Sequence, residues 1–228
     1  MTKLLVSVTN LEEAKLALAN EVDLIDLKNP HQGALGALPI DIIEQIVGFV
    51  MSNRTNAMQY TSATVGDLPM LADVITQQVL AVANMKVDFV KVGFFESHDY
   101  QPCLDALKQM AALGVKLIAV LFAEINYPEN LVDHIKEAGF HGVMLDTAKK
   151  NGATFMHYYT DEEIVLFAEK IKNHEMMFGL AGSLSIQHLD KVTGYKPTYI
   201  GFRGGVSFGN QRTLALDASK IQVIRNAL

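Results

Sequence analysis

Short β-rich runs alternate with longer helical stretches along the whole 228-residue chain. Eight runs read as strands, at residues 4–8, 24–28, 58–63, 89–94, 116–122, 142–146, 177–181 and 199–203. Many are continuously apolar and end on a polar residue, as strands do when both faces of a parallel sheet are covered. Helical stretches follow them, starting at Asn10 and continuing at 39–50, 67–85, 100–113, 128–138, 160–173, 185–192 and 217–227. Asn10 reads as an N-cap, Thr160 with Glu163 as a capping box, and Pro39 as a first-turn proline. Gly114 and Gly139 fall where helix C-terminal glycines belong. Eight such units, in a length close to the roughly 250 residues typical of the fold, predict an α/β protein: a (β/α)₈ TIM barrel. The same alternation also permits a doubly wound open sheet. No linker or composition step interrupts the chain, so one domain is expected over residues 1–228.

Composition narrows the function classes. Half of the residues are hydrophobic, enough for a large core. The net charge of −6 and the absence of basic runs argue against nucleic acid or an anionic membrane as partner. The chain has a single cysteine, Cys103, which excludes an internal disulfide framework and fits a reducing cytoplasm. No signal peptide is visible at residues 1–8, and no apolar run reaches the ~18 residues of a membrane span. The seven histidines form no metal-ligand spacing, so no metal and no cofactor are assigned. Cys103 lies in a helical stretch beside Leu104 and reads as a core or interface thiol.

In TIM barrels the reactive groups stand at the C-terminal ends of the strands. Here the second strand ends Asp26-Leu27-Lys28, the fourth carries Lys91, and the sixth ends in Asp146 with Lys149 and Lys150 just beyond. Side chains alternate along a strand, so Ile25 and Leu27 should meet the helices while Asp26 and Lys28 point into the barrel. The same reasoning turns Val90 and Val92 outward and Lys91 inward. An inward lysine is costly unless paired or neutral, and salt bridges of Lys28 with Asp26 or Asp146 would satisfy that demand without any chemistry. Two lysines at strand ends, facing a candidate anion site, favour chemistry. A neutral lysine amine attacks an aldehyde or ketone to form an imine, which acidifies the adjacent C–H; a second lysine or a carboxylate can then move the proton. Lys28, Lys91, Asp26, Asp146 and Lys150 would supply this set.

The anion site is expected in the loops after the last two strands, where this fold often binds phosphate. Gly182 and Ser183 lead towards a helix predicted to start near Ser185, offering backbone N–H groups and a helix dipole. Gly204 and Gly205 allow close backbone approach, and Arg203 offers a bidentate fork. Ordinary turn glycines would give the same local pattern; the position in the barrel favours phosphate.

These residues also carry a resemblance. Asp26 to Pro30, followed by Gly33-Ala34-Leu35-Gly36-Ala37, resembles an Asp-x-Lys-Asn-Pro…Gly-Ser-Leu-Gly-Ala signature. The blocks at 62–67, 91–93, 144–150, 180–183 and 201–204 match in the same order, nearly end to end. The family is (5-formylfuran-3-yl)methyl phosphate synthase, also called 4-(hydroxymethyl)-2-furancarboxaldehyde phosphate synthase. The resemblance implies a class I aldolase-like TIM barrel. It implies joining of two glyceraldehyde 3-phosphate molecules into a phosphorylated furan aldehyde for methanofuran synthesis, with loss of one phosphate and water. Lys28 matches the imine-forming lysine and Lys91 the proton-transferring lysine; Asp26, Asp146 and Lys150 match other active-site positions. The chain departs from the pattern at His31-Gln32, at Ala34, and in the loop at 205–210, which includes Phe208.

The partner expected is therefore a small phosphorylated aldehyde. Eight units leave few residues for insertions, so short loops and a homo-oligomer that helps to close the mouth are expected. Two other readings compete. Asp26-x-Lys28 is similar to the strand of phosphosugar decarboxylases, but those carry a further Asp where this chain has His31. A non-catalytic phosphometabolite-binding barrel would explain the anion site but not the inward lysines.

Overall fold

The computed structural model describes residues 2–55, 58–149 and 151–228. Eight parallel strands close in sequence order into one barrel. They are β1 (Lys3–Val8), β2 (Leu24–Leu27), β3 (Tyr60–Thr64), β4 (Phe89–Phe94), β5 (Leu117–Phe122), β6 (Gly142–Asp146), β7 (Met177–Leu180) and β8 (Tyr199–Phe202). The helices are α1 (Leu11–Ala19), α2 (Ile40–Asn53), α3 (Ala72–Asn84), α4 (Gln101–Ala112), α5 (Leu131–Glu137), α6 (Asp161–Asn173), α7 (Leu189–Gly194) and α8 (Ala218–Ala227). Pairing of β1 with β8 completes the closure, so the open-sheet alternative falls.

The strand alternation divides the apolar residues into two cores. Outward residues such as Leu4, Val6, Ile25, Leu27, Val90, Val92, Leu145 and Phe178 pack against the helices. Inward residues, among them Leu5, Leu24, Phe89, Ile118, Val120, Met144 and Tyr199, fill the barrel. Gly179 leaves room for the Tyr199 ring, which a Cβ there would strike. Cys103 is buried on α4, as its neighbours suggested.

Three helix starts differ from expectation, the fifth helix beginning at Leu131 rather than at 128. The third helix begins at Ala72, not at 67. Pro69 disfavours helical geometry at Leu68, and Asp67 is drawn into another loop, where its carboxylate accepts the N–H groups of Ala34 (2.7 Å) and Leu35 (2.6 Å). The seventh helix does not begin at Ser185. A 3₁₀ turn, Ile186–His188, precedes the six-residue α7, and the Ser185 N–H is taken by His188 Nδ1 at 3.0 Å. The expected helix dipole at that position is therefore replaced by a capped single turn.

Candidate functional site

Register brings Ser7, Asp26 and Ser62 side by side on β1, β2 and β3. All three are buried. Ser7 Oγ donates to Asp26 Oδ2 (2.8 Å) and Ser62 Oγ donates to Oδ1 (2.7 Å). Lys91 Nζ donates to the same Oδ1 at 3.1 Å. Burial pushes the Asp26 carboxyl up, but Lys91, Lys28 and the two hydroxyls outweigh it and hold the carboxyl below its ordinary value of 3.8. Asp26 is thus an ionised acceptor at neutral pH. Ser7 carried a readable signal, being polar at an inward position in the apolar run of β1, whereas Ser62 lies among the threonines of β3 and carried none.

Lys28 follows β2 directly, its backbone N–H donating to the Val8 carbonyl at 3.1 Å. Its Nζ lies 3.6 Å from Asp146 Oδ2, and both side chains are buried. Asp146 Oδ1 accepts the N–H of Thr147 at 2.7 Å, which turns the carboxylate toward the lysine. The floor of the site thus holds two lysine–carboxylate pairs, Lys28–Asp146 and Lys91–Asp26.

These groups line a cavity of about 540 Å³ at the C-terminal end of the barrel, together with Gly182, Ser183, Arg203, Gly204 and Gly205. All the predicted site residues within the described chain therefore meet at one mouth. Lys150 lies outside the described residues. Before it, the Glu124 carboxylate accepts the N–H groups of Ala148 and Lys149, both at 2.8 Å. Gly182 adopts a left-handed backbone, φ 97°, and packs against Thr147. At Gly205 a Cβ would collide with the Leu184 carbonyl, so the loops after β7 and β8 touch backbone to backbone.

Arg203 departs from its expected role. Its five N–H donors all find acceptors within the protein: Glu13 twice, at 2.6 and 3.1 Å, and the carbonyls of Ser7, Arg212 and Leu214. The fork expected to meet phosphate is bidentate to Glu13, although the residue lines the cavity. Sequence reading missed Glu13, Asp67, Glu124 and Arg212, which lace the rim together.

A closed parallel barrel with buried lysine–carboxylate pairs at its C-terminal mouth defines a (β/α)₈ TIM barrel with a charged site at the end where this fold carries its reactive groups. Residues 4–225 match the family described as 4-HFC-P synthase, and the chain belongs to that family. A Methylorubrum extorquens protein provisionally named (5-formylfuran-3-yl)methyl phosphate synthase is 36% identical over 220 residues, covering 96% of this chain and 88% of its own. The (5-formylfuran-3-yl)methyl phosphate synthase of Methanosarcina acetivorans is 31% identical over 222 residues, covering 92% and 93%. Among solved structures, 3-hexulose-6-phosphate synthase from Salmonella typhimurium superposes with a TM-score of 0.67 at 16% identity, covering 99% of each chain. That likeness establishes the fold alone. Among the described residues no helix is long and apolar enough to cross a membrane.

Proposed function

We propose that the chain joins two molecules of glyceraldehyde 3-phosphate into (5-formylfuran-3-yl)methyl phosphate through an imine on Lys28, as a carbon–oxygen lyase of methanofuran biosynthesis in the cytoplasm. The observation that carries this reading is the pair of buried lysines, each held against its own carboxylate, in a chain of this family. Lys28 attacks the aldehyde carbon of the first molecule, and water leaves as the imine forms. Asp146, 3.6 Å from Nζ, is placed to accept the proton that Lys28 must shed. The protonated imine acidifies the neighbouring C–H, and the resulting carbon nucleophile attacks the second aldehyde. Lys91, oriented by the ionised Asp26, moves protons at the reacting carbons. Lys150, by its match to the family pattern, is assigned a further proton-transfer role. Overall, two triose phosphates yield the furan phosphate, one phosphate and two waters, so carbon, phosphorus and oxygen balance without an oxidant.

Substrate phosphate is assigned to the cradle of Gly182, Ser183, Gly204 and Gly205, with Arg203 holding that loop in place. The test is direct incubation with glyceraldehyde 3-phosphate. A furan absorbance and released phosphate should appear together in the parent and be lost in Lys28→Ala. Carbon dioxide release from an acid sugar phosphate would point instead to a decarboxylase, and binding without turnover to a sensor.

A further inference from the structure

One cationic side chain crosses the mouth without any assigned role. Arg212 lies in the loop that follows β8, with its backbone beside Gly204. Its Nη2 reaches the loop after β2 and donates to the Gly33 carbonyl at 3.0 Å. It lines the same cavity as Lys28, Lys91 and Asp146.

Both ends of this bridge are fixed. The Arg212 carbonyl accepts Arg203 Nε at 2.7 Å, and Arg203 is itself locked to Glu13. On the other side, Asp67 holds the two residues after Gly33 through their N–H groups. Gly33 has φ 69°, and a Cβ there would strike the Asp67 carboxylate, so the acceptor loop is closely packed. Among the described residues the Arg212 guanidinium makes no other hydrogen bond and no ion pair. Burial lowers its pKa, Asp146 and Asp67 oppose that shift from a distance, and Arg203 adds to it. A half-buried guanidinium using one of five donors is a poor structural clasp, because a single N–H to one carbonyl needs no charge and no fork. It is a good anion receptor, because planar paired donors match phosphate oxygens and partial desolvation strengthens the contact.

We infer that Arg212 forms a second phosphate-recognition position in the mouth, distinct from the glycine cradle, and binds the phosphate of a phosphorylated aldehyde. The inference rests on the reading of the cavity as a phosphorylated-aldehyde site. The Arg212 side chain leaves Gly204 and extends toward the second-strand loop, so the two positions are offset across the mouth. A site with two such positions holds two phosphorylated molecules at once, or both ends of a bisphosphorylated intermediate.

The test compares glyceraldehyde 3-phosphate with glyceraldehyde, which lacks the phosphate, in borohydride trapping on the full chain. In Arg212→Gln, which removes the charge and the fork but keeps a polar side chain, the glyceraldehyde 3-phosphate concentration giving half-maximal trapping should rise about tenfold or more, the scale of a lost charge-assisted hydrogen bond. The glyceraldehyde value should stay within about twofold, and Arg212→Lys should fall between. An equal loss for both aldehydes would assign Arg212 to shaping the mouth, and an unchanged value for both would remove it from recognition; either result overturns the inference. A parent that traps neither aldehyde would instead count against the imine on Lys28. Calorimetric titration with inorganic phosphate then decides on Arg212 separately. Weaker phosphate binding in Arg212→Gln than in the parent upholds the position, and equal binding overturns it.

Discussion

Lys91 Nζ lies 3.1 Å from Asp26 Oδ1 with both side chains almost wholly withdrawn from water. Removing one partner strands the other as a buried charge. Asp26→Asn is therefore expected to destabilise the fold by about 3–5 kcal/mol, and the double variant Asp26→Asn with Lys91→Met to recover most of that loss. Denaturant unfolding of the four proteins checks this. Equal, additive losses would show that the two groups are not coupled.

The same pair fixes the response to acid. The Asp26 carboxyl is held below its ordinary value, so its contribution to stability is fully present above the unfolded value, near pH 4, and is lost as pH falls through the lower folded value. Unfolding free energy between pH 5 and pH 2 should fall less steeply in Asp26→Asn than in the parent. Parallel curves for the two proteins would contradict the assignment.

Arg203 and Glu13 form a further buried pair, with both side chains 8% exposed. Arg203→Met should cost about 3–5 kcal/mol by leaving Glu13 uncompensated. Arg203→Lys should recover little, since an ammonium cannot reproduce the fork to Glu13 and the three carbonyl contacts. Thermal unfolding measures both variants, and full recovery by lysine would show that charge alone matters there.

Tyr199 gives a test inside the barrel. Its hydroxyl is buried and finds no hydrogen-bond partner among the described residues. Burial, with Asp26 adding to it, pushes its pKa up, so it stays neutral. Tyr199→Phe removes an unsatisfied polar atom without changing shape, and should be neutral or stabilising by up to ~1 kcal/mol. A clear loss of stability would reveal a buried partner for the hydroxyl.

The strand-borne part of the site was legible in the sequence because alternation is a local rule. Ile25 and Leu27 turn out to the helices, which forces Asp26 and Lys28 inward; Val90 and Val92 do the same for Lys91. The loop-borne part was not legible, because its partners are distant in sequence. Arg203 looked like a phosphate fork, yet its acceptor Glu13 lies 190 residues away. Asp67 looked like the start of a helix, yet it binds a loop 32 and 33 residues earlier. Arg212 carried no local signal at all, since its meaning depends on reaching Gly33 across the mouth.

The central claim is an imine on Lys28, and borohydride reduction in the presence of glyceraldehyde 3-phosphate tests it most directly. Peptide mapping by mass spectrometry should place a single reduced triose phosphate adduct on Lys28 in the parent and find none in Lys28→Ala. An adduct mapped to Lys91 alone, or full furan phosphate formation by Lys28→Ala, would contradict the account.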